Sequence, residues 1–228
     1  IHNNYIYGVL ARGGFVGNPA VFRVATNGTG FTIIHEFADF NALPQQIVLG
    51  ADGKLYGVDL FGGTICDPIR PNEGCGELFS LNPVPPGDPN VQYQVLKTFQ
   101  YHRGFPCPTN PPDPDCVEQS GVQFNYPQTL VYGSDGFIYG ATFYSVFRMD
   151  PHAADPASTI NYIWTGGGGI SVSLIEGADQ RLYIADYGGG TAGAGQIFSM
   201  NHDGTDKIVH KEFSFSLGST NYGPYGKL

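Results

Sequence analysis

Four-stranded antiparallel β units, repeated about four times, are the architecture this sequence predicts, and three observations carry the prediction. Glycine and proline, 33 and 17 of 228 residues, make up about 22% of the chain without a Gly-X-Y period, which favours turn-dense β structure over helix or collagen. Apolar residues are 41% and aromatic residues 14%, enough to bury a sizeable core in a single all-β domain. Three segments also superimpose on one another: IVLGADGKLYGVDLFGG from Ile47, LVYGSDGFIYGATFY from Leu130 and LIEGADQRLYIADYGGG from Leu174.

Each of the three reads as an apolar strand, a Gly-Ala/Ser-Asp-Gly/Gln turn, and a second strand opening on Leu/Ile-Tyr. Asp-Gly between apolar runs is a strong hairpin signal, because the turn needs φ > 0 and glycine supplies it without a Cβ penalty. A third strand follows in each copy, GELFSLN, SVFRMD and GQIFSMN, and then a fourth, YQVLKTF, INYIW and KIVHKEF. The N-terminus supplies strands two to four of a further copy, YIYGVLARGG, PAVFRV and FTIIHEF, and the C-terminal YGPYGKL reads as a strand one. Joining Leu228 to Ile1 leaves five residues before Ile6, as five separate Leu49 from Leu55, and sets Asn3-Asn4 on the Asp52-Gly53 turn. Asparagine is the non-glycine residue that best tolerates αL. Strand one of the first blade is therefore expected from Gly223, Pro224, Tyr225, Gly226, Lys227 and Leu228, pairing beside Tyr5, Ile6, Tyr7 and Gly8, within one chain or between two.

The residue before the recurring tyrosine falls at Ile6, Leu55, Ile138 and Leu182, giving steps of 49, 83 and 44, and 52 back through the termini. Repeats of about 40 to 50 residues with four strands each predict a β-propeller. One domain over 1–228 is expected, with blades at 224–228 plus 1–43, 44–100, 124–165 and 166–215, and insertions at 64–76 and 101–126. Four blades follow from the strand count, with an eight-bladed closure by two chains as the alternative.

Eleven Lys and Arg stand against 20 acidic residues, a formal charge of −9, which repels a phosphate backbone and argues against nucleic acid. No apolar run reaches the roughly 18 residues of a membrane span, and the absence of an initiator Met predicts a processed or trimmed N-terminus. The four cysteines form two equally spaced pairs, Cys66 with Cys75 and Cys107 with Cys116, each bracketing eight Pro-rich polar residues. That spacing favours two local disulfides over the other two connectivities, and an oxidising, extracytoplasmic compartment. Zinc is the rival reading, opposed by the lack of Cys-x2-4-Cys spacing and of nearby histidine.

The order Leu55-Tyr56-Gly57, Gly62-Gly63, Gly76-Glu77-Leu78-Phe79 and Leu96-Lys97-Thr98-Phe99 resembles the GloVer-type tandem repeats of bacterial surface and secreted proteins. It returns in Gly189-Gly190, Gly195-Gln196-Ile197-Phe198 and His210-Lys211-Glu212-Phe213, and departs where Tyr144-Ser145 replaces Gly-Gly and Ile184 replaces a glycine. The resemblance covers nearly the whole chain outside the two Cys loops. It implies an extracellular repeat protein and brings no catalytic motif.

Candidate sites each have a plainer reading. Tyr7, Tyr56, Tyr139 and Tyr183 could stack sugars, but one recurring blade position favours packing between blades. Asp52, Asp135 and Asp179 could ligate calcium, but an Asp in a tight turn usually caps its own backbone. His35 and His210 read as equivalent fourth-strand positions, and His2, His102, His152 and His202 fall in loops with no metal or triad spacing. Gly166 to Gly169 lacks the Lys-Ser/Thr of a phosphate loop and reads as a tight crossing near the propeller axis. Asp67, Glu73, Asp113 and Asp115 could pair as glycosidase carboxylates, but solvated disulfide loops explain them without chemistry.

No cofactor, metal or catalytic residue is expected. A non-enzymatic structural or adhesive protein at the cell exterior, such as a subunit of a surface or filamentous assembly, fits the sequence best: its partner is another copy or a surface protein. A saccharide- or ligand-binding propeller is the alternative, and a propeller hydrolase the third reading.

Overall fold

The computed structural model describes residues 3–38, 42–63, 74–84, 92–99, 101–103, 122–124, 126–166, 170–214 and 224, with backbone alone for 101–103, 122–124 and 170–172. They form an all-β fold of the β-propeller type, relieved only by a 3-10 turn at Pro156–Thr159. The chain divides into two compact units, 1–100 and 101–228, each holding two blades.

In the first unit, β1 (Tyr5–Leu10), β2 (Ala20–Ala25) and β3 (Thr32–Glu36) make a three-stranded sheet, blade one. Blade two is β4 (Pro44–Leu49), β5 (Leu55–Asp59), β6 (Glu77–Leu81) and β7 (Tyr93–Thr98) in that order. The second unit opens with a short hairpin, β8 (Tyr101–Arg103) against β9 (Val122–Phe124), so the ends of the predicted insertion pair with one another. Blade three follows as β10 (Thr129–Tyr132), β11 (Ile138–Ala141), β12 (Ser145–Met149) and β13 (Asn161–Thr165). Blade four is β14 (Ile170–Glu176), β15 (Leu182–Asp186), β16 (Gln196–Met200) and β17 (Ile208–Glu212). The strand expected from residues 223–228 beside β1 lies outside the described residues, apart from Pro224, which is half-buried and in no strand.

The first turn of each complete blade is a three-residue loop closed by a wide hydrogen bond. Gly50 N–H donates to the Lys54 carbonyl, Gly133 to Phe137 and Gly177 to Arg181, at 2.8–2.9 Å. The third loop position needs αL: Gly53 has φ 80°, Gly136 88°, Asn4 64°, and Gln180 takes φ 62° in the one copy with a side chain larger than asparagine's. Asp52, Asp135 and Asp179 cap the backbone N–H two residues on. Each also accepts the hydroxyl hydrogen of the tyrosine four residues on, Tyr56, Tyr139 and Tyr183, at 2.6–2.9 Å. The Gly-x-Asp-x-x-x-Tyr pattern is thus one mechanical unit, in which the glycine leaves room for the ring: a Cβ on Gly50 would sit 2.8 Å from Tyr56 Cε2.

Two further features recur in every blade. A β-bulge between the third and fourth strands leaves Ile34, Leu96, Ile163 and His210 unpaired on the fourth strand. The third strand then presents a phenylalanine, Phe22, Phe79, Phe147 or Phe198, opposite a second-strand residue that is Gly8, Gly57 or Gly140 in the first three blades and Ile184 in the fourth. The glycines make space for those rings, since any Cβ on Gly57 or Gly140 would overlap the Phe79 or Phe147 ring. Each unit buries one core between its two blades, around Val21, Ile34, Leu55 and Phe79 in the first and Tyr139, Val146, Leu182 and Phe198 in the second.

Candidate functional site

Histidines are the natural starting point, because they are the side chains whose charge is most easily moved near neutral pH. His35 and His210 are not equivalent, contrary to the sequence expectation: His35 pairs with Val21 as Lys97 pairs with Leu78 and Lys211 with Ile197, whereas His210 occupies the bulge. The bulge falls at the same place in every blade, and the two histidines stand at different offsets from the strand-end phenylalanine, two residues before Phe37 and three before Phe213. His35 stacks on Tyr93 at 4.1 Å and 3°, with Phe37 edge-on at 5.0 Å. Burial holds its imidazole down at about 4, so the neutral ring is the folded form.

A pH prediction follows with its sign. A group whose folded value is depressed below an unfolded value near 6.5 gives stability that is present above pH 6.5 and lost as pH falls towards 4. The loss is about 3 kcal/mol at most, reduced by the partial exposure of the ring. Urea melts of the full chain at pH 7 and pH 4.5 should show a larger acid loss for the wild type than for His35→Phe, and equal losses would refute the assignment.

The second unit gathers a cluster of polar side chains around His202. His202, in the β16–β17 turn, lies flat over Tyr139 of β11 at 5.1 Å. Its Nδ1 is 3.2 Å from Asp135 Oδ2 and its Nε2 is 2.9 Å from Glu176 Oε1, a close contact not aligned as a hydrogen bond. Ser134 clasps the same Glu176, its backbone N–H donating to Oε2 at 2.8 Å and its hydroxyl to Oε1 at 2.6 Å. The cluster joins a turn of blade three to a strand and a turn of blade four. A nucleophilic triad needs the serine hydroxyl on the imidazole; here it is on the carboxylate, and the arrangement serves as a latch.

Beside the latch a polar cleft of about 500 Å³ opens between Arg148 of β12 and the two turns of blade four. Arg181 braces it: its guanidinium donates to Ser199 Oγ, Asn201 Oδ1, Asp206 Oδ2 and the Asp206 carbonyl. Asp179 and Asp203 lie below the usual carboxylate range. For Asp179 desolvation is the largest single effect and pushes the carboxyl up, but it is outweighed by the hydrogen bonds from Tyr183 and the Arg181 N–H acting together, and for Asp203 the hydrogen bonds come from the Thr205 hydroxyl and N–H.

Sequence reasoning passed over two buried carboxylates, Asp59 and Asp186, both fully inaccessible at the end of the second strand. Asp59 Oδ1 accepts from the N–H groups of Leu43, Phe61 and Gly62 at 2.8, 3.0 and 2.9 Å. Asp186 accepts from Gln196 Nε2, and burial pushes its carboxyl up. Thr142 performs the same task in blade three through its hydroxyl, which accepts from Tyr144 and Ser145 N–H. The signal was present in the sequence: a polar residue three positions after the recurring tyrosine in three of four copies.

Tyr139 and Tyr7 line the two inter-blade cores, Tyr56 is fully buried and Tyr183 stacks on His210 at 5.4 Å. His152 lies 3.5 Å from the Tyr132 hydroxyl. Among the described residues no group of three or more His, Cys, Asp or Glu side chains is disposed to hold a metal ion. Cys75 is fully buried and is not a free thiol. Cys66, Cys107, Cys116, His2, Asp67, Glu73, Asp113, Asp115 and Gly167 to Gly169 lie outside the described residues, and His102 is described in backbone only.

No protein-family model and no curated protein sequence matches the chain. Solved structures do. A nidogen/laminin complex contains a chain 8% identical, with a TM-score of 0.53 over 90% of this chain and 60% of that one. A catalytically inactive virginiamycin B lyase from Staphylococcus aureus, with quinupristin, is 11% identical with a TM-score of 0.53 over 95% of this chain and 57% of that one. The extracellular domain of a hybrid two component system from B. thetaiotaomicron is 11% identical with a TM-score of 0.55, over 97% of this chain and 22% of that one. Likeness at these identities shows the fold alone. The chain spans less than two thirds of the length of each of these neighbours. No described helix is long and apolar enough to cross a membrane.

Proposed function

We propose that the chain is a non-enzymatic extracellular module of the GloVer-like repeat kind, which adheres to another copy or to a surface protein. The observation that carries the reading is the loop between β1 and β2. There Phe15 and Val16 stand 74% and 78% exposed on a backbone that is firmly tied down. Gly14 N–H donates to the Asn18 carbonyl, Val16 N–H to Glu36 Oε1 and Asn18 Nδ2 to the Phe37 carbonyl. Two adjacent large apolar side chains held out by a hydrogen-bonded loop are pre-ordered for contact, so binding does not have to fund the ordering of the loop.

Disulfides Cys66–Cys75 and Cys107–Cys116 belong with this reading, since two stapled loops suit an oxidising exterior. The nidogen/laminin neighbour offers a precedent of fold for protein contact. The test is sedimentation and surface-binding of the purified, non-reduced chain against Phe15→Ser/Val16→Ser. Association or adhesion in the wild type, lost in the variant at an unchanged Tm, is expected. A wild type that stays monomeric and binds no cell or matrix surface, or a variant that behaves as the wild type does, overturns it.

A further inference from the structure

The cleft in the second unit holds two features that the turns around it do not require. Arg148 lies over the Phe137 ring at 5.2 Å, yet its guanidinium makes no hydrogen bond among the described residues, although its five donors border an open polar cleft. Arg181 on the opposite wall commits four of its five donors within its own blade and is scaffold. Gln180 is the second feature. It holds φ 62° at the turn position where the other copies carry Gly53, Gly136 and Asn4, and so keeps a strained backbone where glycine would relax it. Its backbone N–H closes the turn on the Gly177 carbonyl, and its side-chain amide, exposed at the cleft, bonds to nothing among the described residues.

The remaining walls are acceptors. Asp179 and Asp203 each use part of their lone-pair capacity within their own turns and keep the rest for a ligand, with Asn201 between them. A ligand that satisfies this set must bring an anionic group with fork geometry for Arg148 and several hydroxyl donors for the carboxylates. A neutral sugar lacks the first and a bare anion lacks the second.

We propose that this cleft is a binding site for a saccharide bearing a carboxylate, a uronic acid, in which Arg148 takes the sugar carboxylate and Gln180, Asp179 and Asp203 take its hydroxyls. The site lies in the second unit and does not depend on the Phe15–Val16 loop, so either proposal can fail alone. Arg148 forms a bidentate, charge-assisted pair, which fixes the sugar's orientation as well as its affinity. Gln180 is retained in αL because its amide reaches the ring hydroxyls from a position no other turn residue occupies.

The experiment is isothermal titration of the full chain with D-glucuronate, D-glucose and acetate, and with a glucuronate-containing oligosaccharide, alongside thermal melts of each variant. Glucuronate is expected to bind while glucose and acetate do not; Arg148→Ala should weaken binding at least about tenfold and Arg148→Lys nearly as much, because the fork is lost. Tighter binding of the oligosaccharide assigns the site to a polymer end or chain, and equal binding to the free sugar acid; both support the site. Gln180→Gly is the discriminating variant: relief of the αL strain should raise Tm by about 2–4 °C while binding weakens severalfold. A higher Tm with unchanged binding overturns the role of Gln180. Acetate binding as tightly as glucuronate, or no binding by glucuronate, overturns the site.

Discussion

Phe147→Ala should destabilise the second unit by about 3–5 kcal/mol, and Gly140→Ala, which adds only a methyl group, by about 1–3 kcal/mol. The two residues face one another across β11 and β12, Phe147 is fully buried, and a Cβ on Gly140 would stand against its Cζ, in steric overlap with the ring. Removing the ring leaves a cavity, whereas adding the methyl forces the ring off its rotamer or the strands apart. Because the methyl would occupy space the ring vacates, the double variant should lose clearly less than the sum of the singles. Trp164, the chain's single tryptophan, packs against the inter-blade core of the same unit, 5.0 Å from Phe198, and reports the transition by fluorescence. Additive losses in urea melts would show that the glycine does not exist to admit the ring.

This pairing explains why the fold was legible and where legibility stopped. The Leu/Ile-Tyr-Gly and x-Phe-x signatures are visible as spacing because each is one half of a contact repeated from blade to blade. So are the Gly-x-Asp turns, whose capping role for Asp52, Asp135 and Asp179 follows from residue type. The bulge could not be read, because it removes one residue from the alternation without a glycine or proline to mark it. The offset of His210 was readable, since it stands three residues before Phe213 where His35 stands two before Phe37. The latch of Ser134, Asp135, Glu176 and His202 was also hidden. Its members come from two blades, with Ser134 and Glu176 42 positions apart, and no local pattern announces a pairing set by the stacking of one sheet on the next. The cleft was half legible. Gln180 stands out in the aligned turns as the copy with neither glycine nor asparagine, but its meaning needs its φ and the Arg148 guanidinium across from it, which makes no hydrogen bond among the described residues.

Asp59→Ala is expected to cost about 3–5 kcal/mol, because one carboxylate oxygen holds three backbone N–H groups at the buried start of the loop after β5. Those donors, on Leu43, Phe61 and Gly62, come from two segments, so the carboxylate ties the entry of β4 to the exit of β5. Without it they would be buried and unsatisfied unless the loop opened to water, and each unsatisfied donor costs about 1–3 kcal/mol. Asp59→Asn retains an Oδ1 acceptor in the same place and should lose much less. Asp59→Thr separates the charge from the acceptor. Thr142 already does this work in blade three, accepting from the N–H groups of Tyr144 and Ser145 at 3.3 and 3.1 Å, so threonine should recover part of the loss without any charge. Urea denaturation gives the order of stability as wild type, Asn, Thr, Ala, and hydrogen exchange at the Phe61 and Gly62 amides should quicken in the reverse order. If Asn falls as far as Ala, the negative charge rather than the acceptor geometry holds the loop, and the equivalence of Asp59 with Thr142 fails.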